Sequence, residues 1–281
     1  MPTLLRLLAI LSHVLVVVLL TVVTQVGGLI HLLCFPFYQR LEQWFSHKTT
    51  RVMGQILVFL TVYLLSVLII VPLVAPRFGR VALPVYHTDL QPQHWLTVLA
   101  ARNYVRPALR RAAIDVAVEM KRQHQSTLLY LDAQHPFGNG WPLIPHLSHS
   151  DGRKLDVALL WQDARTGKPV SGTPSPIGYG VFEDPRPDEY DRAAECAAQG
   201  HWQYGYMEKV VPQDRKPYFT LDEARTAAMT RLFCKHRQVR RVLIEPYLKK
   251  RLLLEDLTNL RHHGCNAVRH DDHIHVELKV E

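Results

Sequence analysis

Apolar residues fall along the 281-residue chain in two distinct regimes. From Leu7 to Leu33 and again from Met53 to Ala75 there is no ionised side chain, and the main polar or flexible interruptions of the first run are His13, Gln25, Gly27, Gly28 and His31. A bilayer core about 30 Å thick takes about 20 helical residues to cross, so each run predicts a membrane-spanning helix. A secretory signal has an apolar region of about 7 to 15 residues ending in small residues suited to cleavage, and the first run fits neither condition. Residues 1–76 therefore read as an anchor of two transmembrane helices, which puts both chain ends on one side.

Beyond Pro76 the pattern changes to that of a folded polar domain. Leu96, Leu99, Ala100, Tyr104, Leu109, Ala113, Val116 and Met120 recur mostly at three- and four-residue spacing, which predicts a helix over 93–124, kinked or split at Pro107. It forms a helical connector over 77–125. Strands are expected over Ser126–Ala133 and Leu155–Gln162, separated by turn residues. The stretch 163–190, dense in Pro and Gly, predicts a long loop, a feature more often functional than idle. Thr220 and Glu223 have capping-box spacing for a helix over Ala224–Lys235. A strand Val239–Ile244, a helix Pro246–Leu257 and a final strand Arg269–Lys279 complete an α+β domain over 126–281. There is no internal repeat and no low-complexity tract.

Charge sharpens the division. The first 76 residues hold only Arg6, Arg40, Glu42, Lys48 and Arg51, which leaves 29 of the 33 basic and 24 of the 25 acidic side chains to the rest. Around the two apolar runs, Arg40, Lys48 and Arg51 in the connecting loop face Arg6, Arg77 and Arg80 on the flanks. Three against three decides little by count, but their concentration in one short loop favours a cytoplasmic loop and an outward-facing body. The body's modest positive balance suits an anionic polymer by long-range attraction. It would suit nucleic acid equally, but no nucleic-acid-binding module is recognisable.

Candidate chemistry lies in two histidine clusters. In the first, His146 and His149 precede a strand that carries Asp156, and a carboxylate inside that apolar strand is costly to bury unless it is paired or ligates a metal. In the second, His270, His273 and His275 accompany Asp271 and Asp272, and the two-residue spacing of His273 and His275 turns both rings to one side of a strand. Imidazole and carboxylate suit Zn²⁺, and a catalytic zinc keeps three protein ligands and an open position for water. His149, Asp156 and one of the two strand histidines form such a set. Each piece alone is a weak signal, and their conjunction is the stronger one.

The pair His149-x-x-Gly152-x-x-x-Asp156 and His273-Ile274-His275 resembles the zinc peptidases that include lysostaphin-type enzymes, D-alanyl-D-alanine peptidases and Hedgehog domains. The fuller patterns His146-x-x-His149 and His270-x-x-His273-x-His275 are most similar to penicillin-insensitive murein endopeptidases, and the segment from Val239 to Lys250 is similar to that family's strand-then-helix element. The resemblance covers roughly residues 126–281. It implies an antiparallel-sheet zinc peptidase domain, with His149, Asp156 and His275 as ligands, His273 as a non-ligating catalytic histidine, and His146 and His270 lining the cleft. Relatives that cleave D-alanyl termini carry an acid where Asp272 stands, so Asp272 and His273 are both candidates for the proton acceptor. Strand alternation favours His273 unless the strand begins later or bulges.

These readings imply a membrane-anchored zinc metallopeptidase of the bacterial inner membrane. Its domain would be periplasmic and would cut the D-alanyl to diamino-acid cross-links of peptidoglycan. A D,D-carboxypeptidase and a non-catalytic wall-binding protein are the alternatives, and no protein partner is indicated. Of the four cysteines, Cys34 lies at the first span, and Cys196, Cys234 and Cys265 allow at most one bridge in the body. Trp141, Trp161, Trp202 and Tyr206 are candidates for a groove lining, although such rings more commonly pack a core.

Overall fold

The computed structural model of the chain describes residues 2–143 and 148–280. The first apolar run does not form one helix. Pro2–Thr24 ends at Gln25, whose φ of +65° helps turn the chain, and Gly27–Leu33 folds back beside it. That return needs glycine, because a Cβ on Gly28 would lie 1.9 Å from Thr21 Oγ1 and 2.6 Å from the Val17 carbonyl oxygen. His13 Nδ1 and His31 Nε2, 3.1 Å apart, tie the two helices side by side. Phe35–Trp44 continues the return, and the helical stretch from Lys48 to Phe78 runs antiparallel to it, with Gly54 against Leu41 and Phe59 against His31. Pro72 and Pro76 lack the amide hydrogens a helix needs, and beside them the ladder relaxes into a π turn at Ser66–Ile70 and a 3₁₀ turn at Ala75–Phe78.

Two helices, within 7–24 and 48–78, are long and apolar enough to cross a membrane, and both stay largely exposed, unlike the core helix of a soluble domain. These N-terminal helices meet the rest of the chain through their ends. Gln25 accepts from the Phe137 amide (2.9 Å) and donates to the Phe137 carbonyl (2.7 Å), and Val67, Val71 and Ala75 pack in one cluster with Ala101 and Tyr104.

In the body, the expected helix over 93–124 is three elements: a short helix Trp95–Leu99, a strand pair residue set Tyr104–Val105, and a helix Pro107–His124. Pro107 sits in that helix's first turn, where its missing amide hydrogen costs nothing, so it starts a helix and does not kink one. The Glu223–Lys235 helix is capped by Asp222, which accepts from the Arg225 amide, and not by Thr220. The helix at Pro246 stops at Arg251, and Leu253 beyond it takes a positive φ of 52°.

A six-stranded sheet runs in the order Leu90–Pro92, Leu128–Tyr130, Lys154–Ala158, His273–Leu278, Val239–Leu243, Leu260–Arg261. Its four central strands are antiparallel and its two edge pairings parallel, so the sheet is mixed where an antiparallel one was expected. The expected strand Leu155–Gln162 ends at Ala158, and Trp161–Asp163 pairs instead with Phe219–Leu221 in a separate ribbon. Helices Pro107–His124 and Glu223–Lys235 contribute to the same core as Leu155, Val157, Ile274 and Val276. Because strand side chains alternate, Asp156, His273 and His275 face the opposite side.

Candidate metal centre

Register brings the two histidine-rich segments together. In the antiparallel pairing of Lys154–Ala158 with His273–Leu278, Asp156 lies directly opposite His275, and His273 opposite Ala158. Opposed residues in such a pair have Cβ atoms about 5 Å apart, close enough for both side chains to reach one ion. Asp156 Oδ1 is 2.8 Å from His275 Nδ1. The third member arrives from a loop: His149 Nε2 is 3.1 Å from His275 Nδ1 and 3.2 Å from Asp156 Oδ1. All three residues are buried, and together they could hold a metal ion.

The donor chemistry fits a divalent cation. His149 Nδ1 is 2.6 Å from the Ala133 carbonyl oxygen, which can only accept, so the ring proton sits on Nδ1 and the Nε2 lone pair faces Asp156 and His275. Two imidazoles and a carboxylate thus converge, a donor set suited to a divalent cation between them. Tetrahedral zinc with bonds of about 2.0–2.1 Å requires ligand atoms about 3.3 Å apart, near the observed 2.8–3.2 Å. Burial holds the His275 imidazole down at about 4 in spite of its hydrogen bond to Asp156, which keeps it neutral as a ligand must be. The second Asp156 oxygen accepts from the Tyr179 hydroxyl at 2.9 Å, and that hydroxyl accepts from the Asp132 amide at 3.1 Å.

His273 stands beside the triad, with Nε2 3.8 Å from Asp156 Oδ1 and Nδ1 hydrogen-bonded to Asp272 Oδ1. The last strand begins at His273, four residues later than expected, so Asp272 precedes it and is free of strand alternation. Its other oxygen accepts from the Gly180 amide at 2.6 Å. Asp272 therefore touches the ring of His273, which stands between it and the triad. Burial opposes a charge on that ring, but Asp156 and Asp272 outweigh it and raise its pKa to about 9.

His270 is buried near the same rings, 5.0 Å from His273 and 5.8 Å from His275 between centroids. His146 lies outside the described residues. Asp271, which carried no assigned role, is bound by Arg269 and by the Tyr247 hydroxyl, and burial brings its carboxyl up to about 7 even against Arg269. Cys196 and Cys265 form a disulfide, and Cys34 and Cys234 are free. Trp161 is buried in the core as such rings commonly are, whereas Trp202 and Tyr206 are exposed and line a cavity beside the triad. Tyr179 and Gly180 were not identified from the sequence, because they lie in the Pro- and Gly-rich stretch where no periodicity exists to place a residue.

Comparison with known protein families and with curated proteins yields no match to this chain.

Proposed function

We propose that the chain is a membrane-anchored zinc hydrolase that cleaves peptide bonds in peptidoglycan, as a murein endopeptidase does. The observation that carries this reading is the convergence of His149 Nε2, Asp156 Oδ1 and His275 Nδ1 on one point, with the Asp272–His273 pair alongside. The similarity of the histidine patterns to murein endopeptidases supplies the substrate. Zn²⁺ bound there would bring a water's pKa toward neutrality and polarise the scissile carbonyl. In this scheme Asp272 fixes the His273 ring through Nδ1, and a cation on Asp156 would cancel the charge that most raises this ring's pKa, which would leave His273 Nε2 able to accept and return the proton. His270 faces the developing oxyanion.

The anchor supports a body outside the cytoplasm. Since the chain turns back at Gln25, against Phe137 of the body, the N-terminal end of the first helix and the turn before Lys48 are both directed away from the body. Arg6, Arg40, Lys48 and Arg51 belong to the end so directed, which breaks the tie of three against three and favours it as the cytoplasmic one. This arrangement puts the N-terminus opposite the body, where two simple spans would have put them together. The Cys196–Cys265 disulfide suits an oxidising periplasm.

The full-length protein, purified in detergent, is expected to carry one zinc per chain and to cut cross-linked muropeptides. His149→Ala and His275→Ala should each lose both properties while keeping the wild-type circular dichroism spectrum. Bound zinc without cleavage would leave a wall-binding protein, and release of terminal D-alanine alone would leave a carboxypeptidase.

A further inference from the structure

The cavity beside the triad has a chemical character that the ligands alone do not reveal. It measures about 610 Å³, and His270, His273 and His275 contribute to its lining. Most of the remaining wall is apolar or aromatic, including Phe182, Trp202, Tyr206, Met207, Leu243 and Val268. The charged side chains in that wall are engaged within the protein. Arg269 binds Asp271 and Asp184 and lies 4.1 Å from the centre of the Phe182 ring, and Asp272 is held by His273 and the Gly180 amide. The Tyr204 hydroxyl donates to Glu245 at 2.6 Å.

Two rings stand in water at this cavity. Trp202 is 69% exposed and Tyr206 47% exposed, in edge-on contact with centroids 5.5 Å apart. Exposed aromatic pairs rimming an apolar hollow are what a bound apolar group covers. Their wall is also rigid. The Cys196–Cys265 disulfide joins the helix just before Trp202 to the segment that supplies Asn266, Ala267 and Val268, so the two sides are fixed before anything binds.

We infer that this cavity seats a bulky apolar side chain, aromatic or leucine-like, of a peptide whose scissile bond lies at the triad. The inference rests on the hydrolase reading of the triad, but not on a wall peptide as the substrate. A D-alanyl methyl fills little of 610 Å³, and the ionised side chains in the wall, Arg269 and Asp272, are already paired within the protein, so a large apolar group gains more there than a small or charged one. The cavity therefore favours a peptide segment with a large hydrophobic residue next to the cleaved bond over the wall cross-link, while the triad chemistry is the same for both, and relative rates on such peptides and on cross-linked muropeptides decide between the two substrates.

The test uses the full-length protein loaded with Zn²⁺ and a set of internally quenched peptides that differ only at one position beside the scissile bond, where Phe, Leu, Ala, Lys or Glu stands. The Phe and Leu peptides should exceed the Ala peptide in kcat/KM by about tenfold or more, mainly through KM, with Lys and Glu below Ala. Trp202→Ala, a change at an exposed position of the cavity rim, should lower the Phe-to-Ala ratio several-fold while zinc content stays that of the wild type. Equal rates for Phe and Ala, or a preference for Lys or Glu, would overturn the inference. Equilibrium binding of the same peptides separates it from the reading beneath it. Tighter binding of Phe than of Ala without cleavage keeps the cavity's preference and removes the hydrolase, cleavage without discrimination does the reverse, and neither binding nor cleavage removes both.

Discussion

His149 illustrates how single residues define this site. Its ring is usable as a ligand because the Ala133 carbonyl fixes the proton on the other nitrogen, and Asp156 is aimed by Tyr179 in the same manner. Second contacts of this kind typically govern metal affinity by about 10- to 100-fold. Tyr179→Phe, which removes only the hydroxyl, is thus expected to weaken zinc binding by about tenfold or more in a chelator competition, with the protein still folded. The spacing of His273 and His275 was legible because two residues on a strand share a face whatever the fold. The part played by Tyr179 was not, since a tyrosine in an aperiodic loop carries no sign of what its hydroxyl meets. Acid sensitivity also belongs to this scale. Burial, reinforced by Arg102, holds His135 down at about 4. The unfolded chain then binds a proton between about pH 6.5 and 4 that the folded chain does not, so stability is full above pH 6.5 and falls as the pH drops toward 4, by up to about 3 kcal/mol. His135→Gln should flatten that acid limb, read as the difference between the two proteins' denaturation midpoints across the range.

Among the elements, the described residues on either side of His149 are held by distant neighbours. Gly138 and Asn139 are bound by the fully buried Arg80, at 3.1 and 2.6 Å, while Gln25 of the anchor grips Phe137. Gly152 closes the segment with φ +70°, and a Cβ there would lie 2.4 Å from Arg80 Nε. Gly152→Ala is therefore expected to destabilise the protein by about 1–3 kcal/mol through backbone strain alone, seen as a lower Tm, and to weaken zinc binding through its effect on His149. Local signals identified most elements but misjudged several limits. Pro107 read as a kink or a split within one helix, and the strand before it makes it the start of a separate helix. The apolar run from Leu155 continued past Ala158 because both pieces are buried, and its division between two ribbons follows from their separate partners, His273–Leu278 and Phe219–Leu221.

Across the whole molecule, anchor and body form a connected unit. In inverted membrane vesicles, a protease should reach the turn at Phe45–His47 and a tag at the N-terminus, and a thiol probe should label a Ser46→Cys variant, while the body stays protected. Exposure of the N-terminus and the body on the same side would overturn the arrangement proposed from Gln25. By itself the sequence determined that two long apolar stretches precede a polar α+β domain, and that imidazoles and a carboxylate are available on strand faces, because composition and a period of two act locally. Only the tertiary structure decided that the first stretch turns at Gln25, that the cavity is aromatic, and that Asp156 opposes His275. Those last two residues are 119 positions apart, and their meeting depends on a strand register fixed by burying Leu155, Val157, Ile274 and Val276 on the other face, a condition imposed by the packed sheet and not by either segment alone.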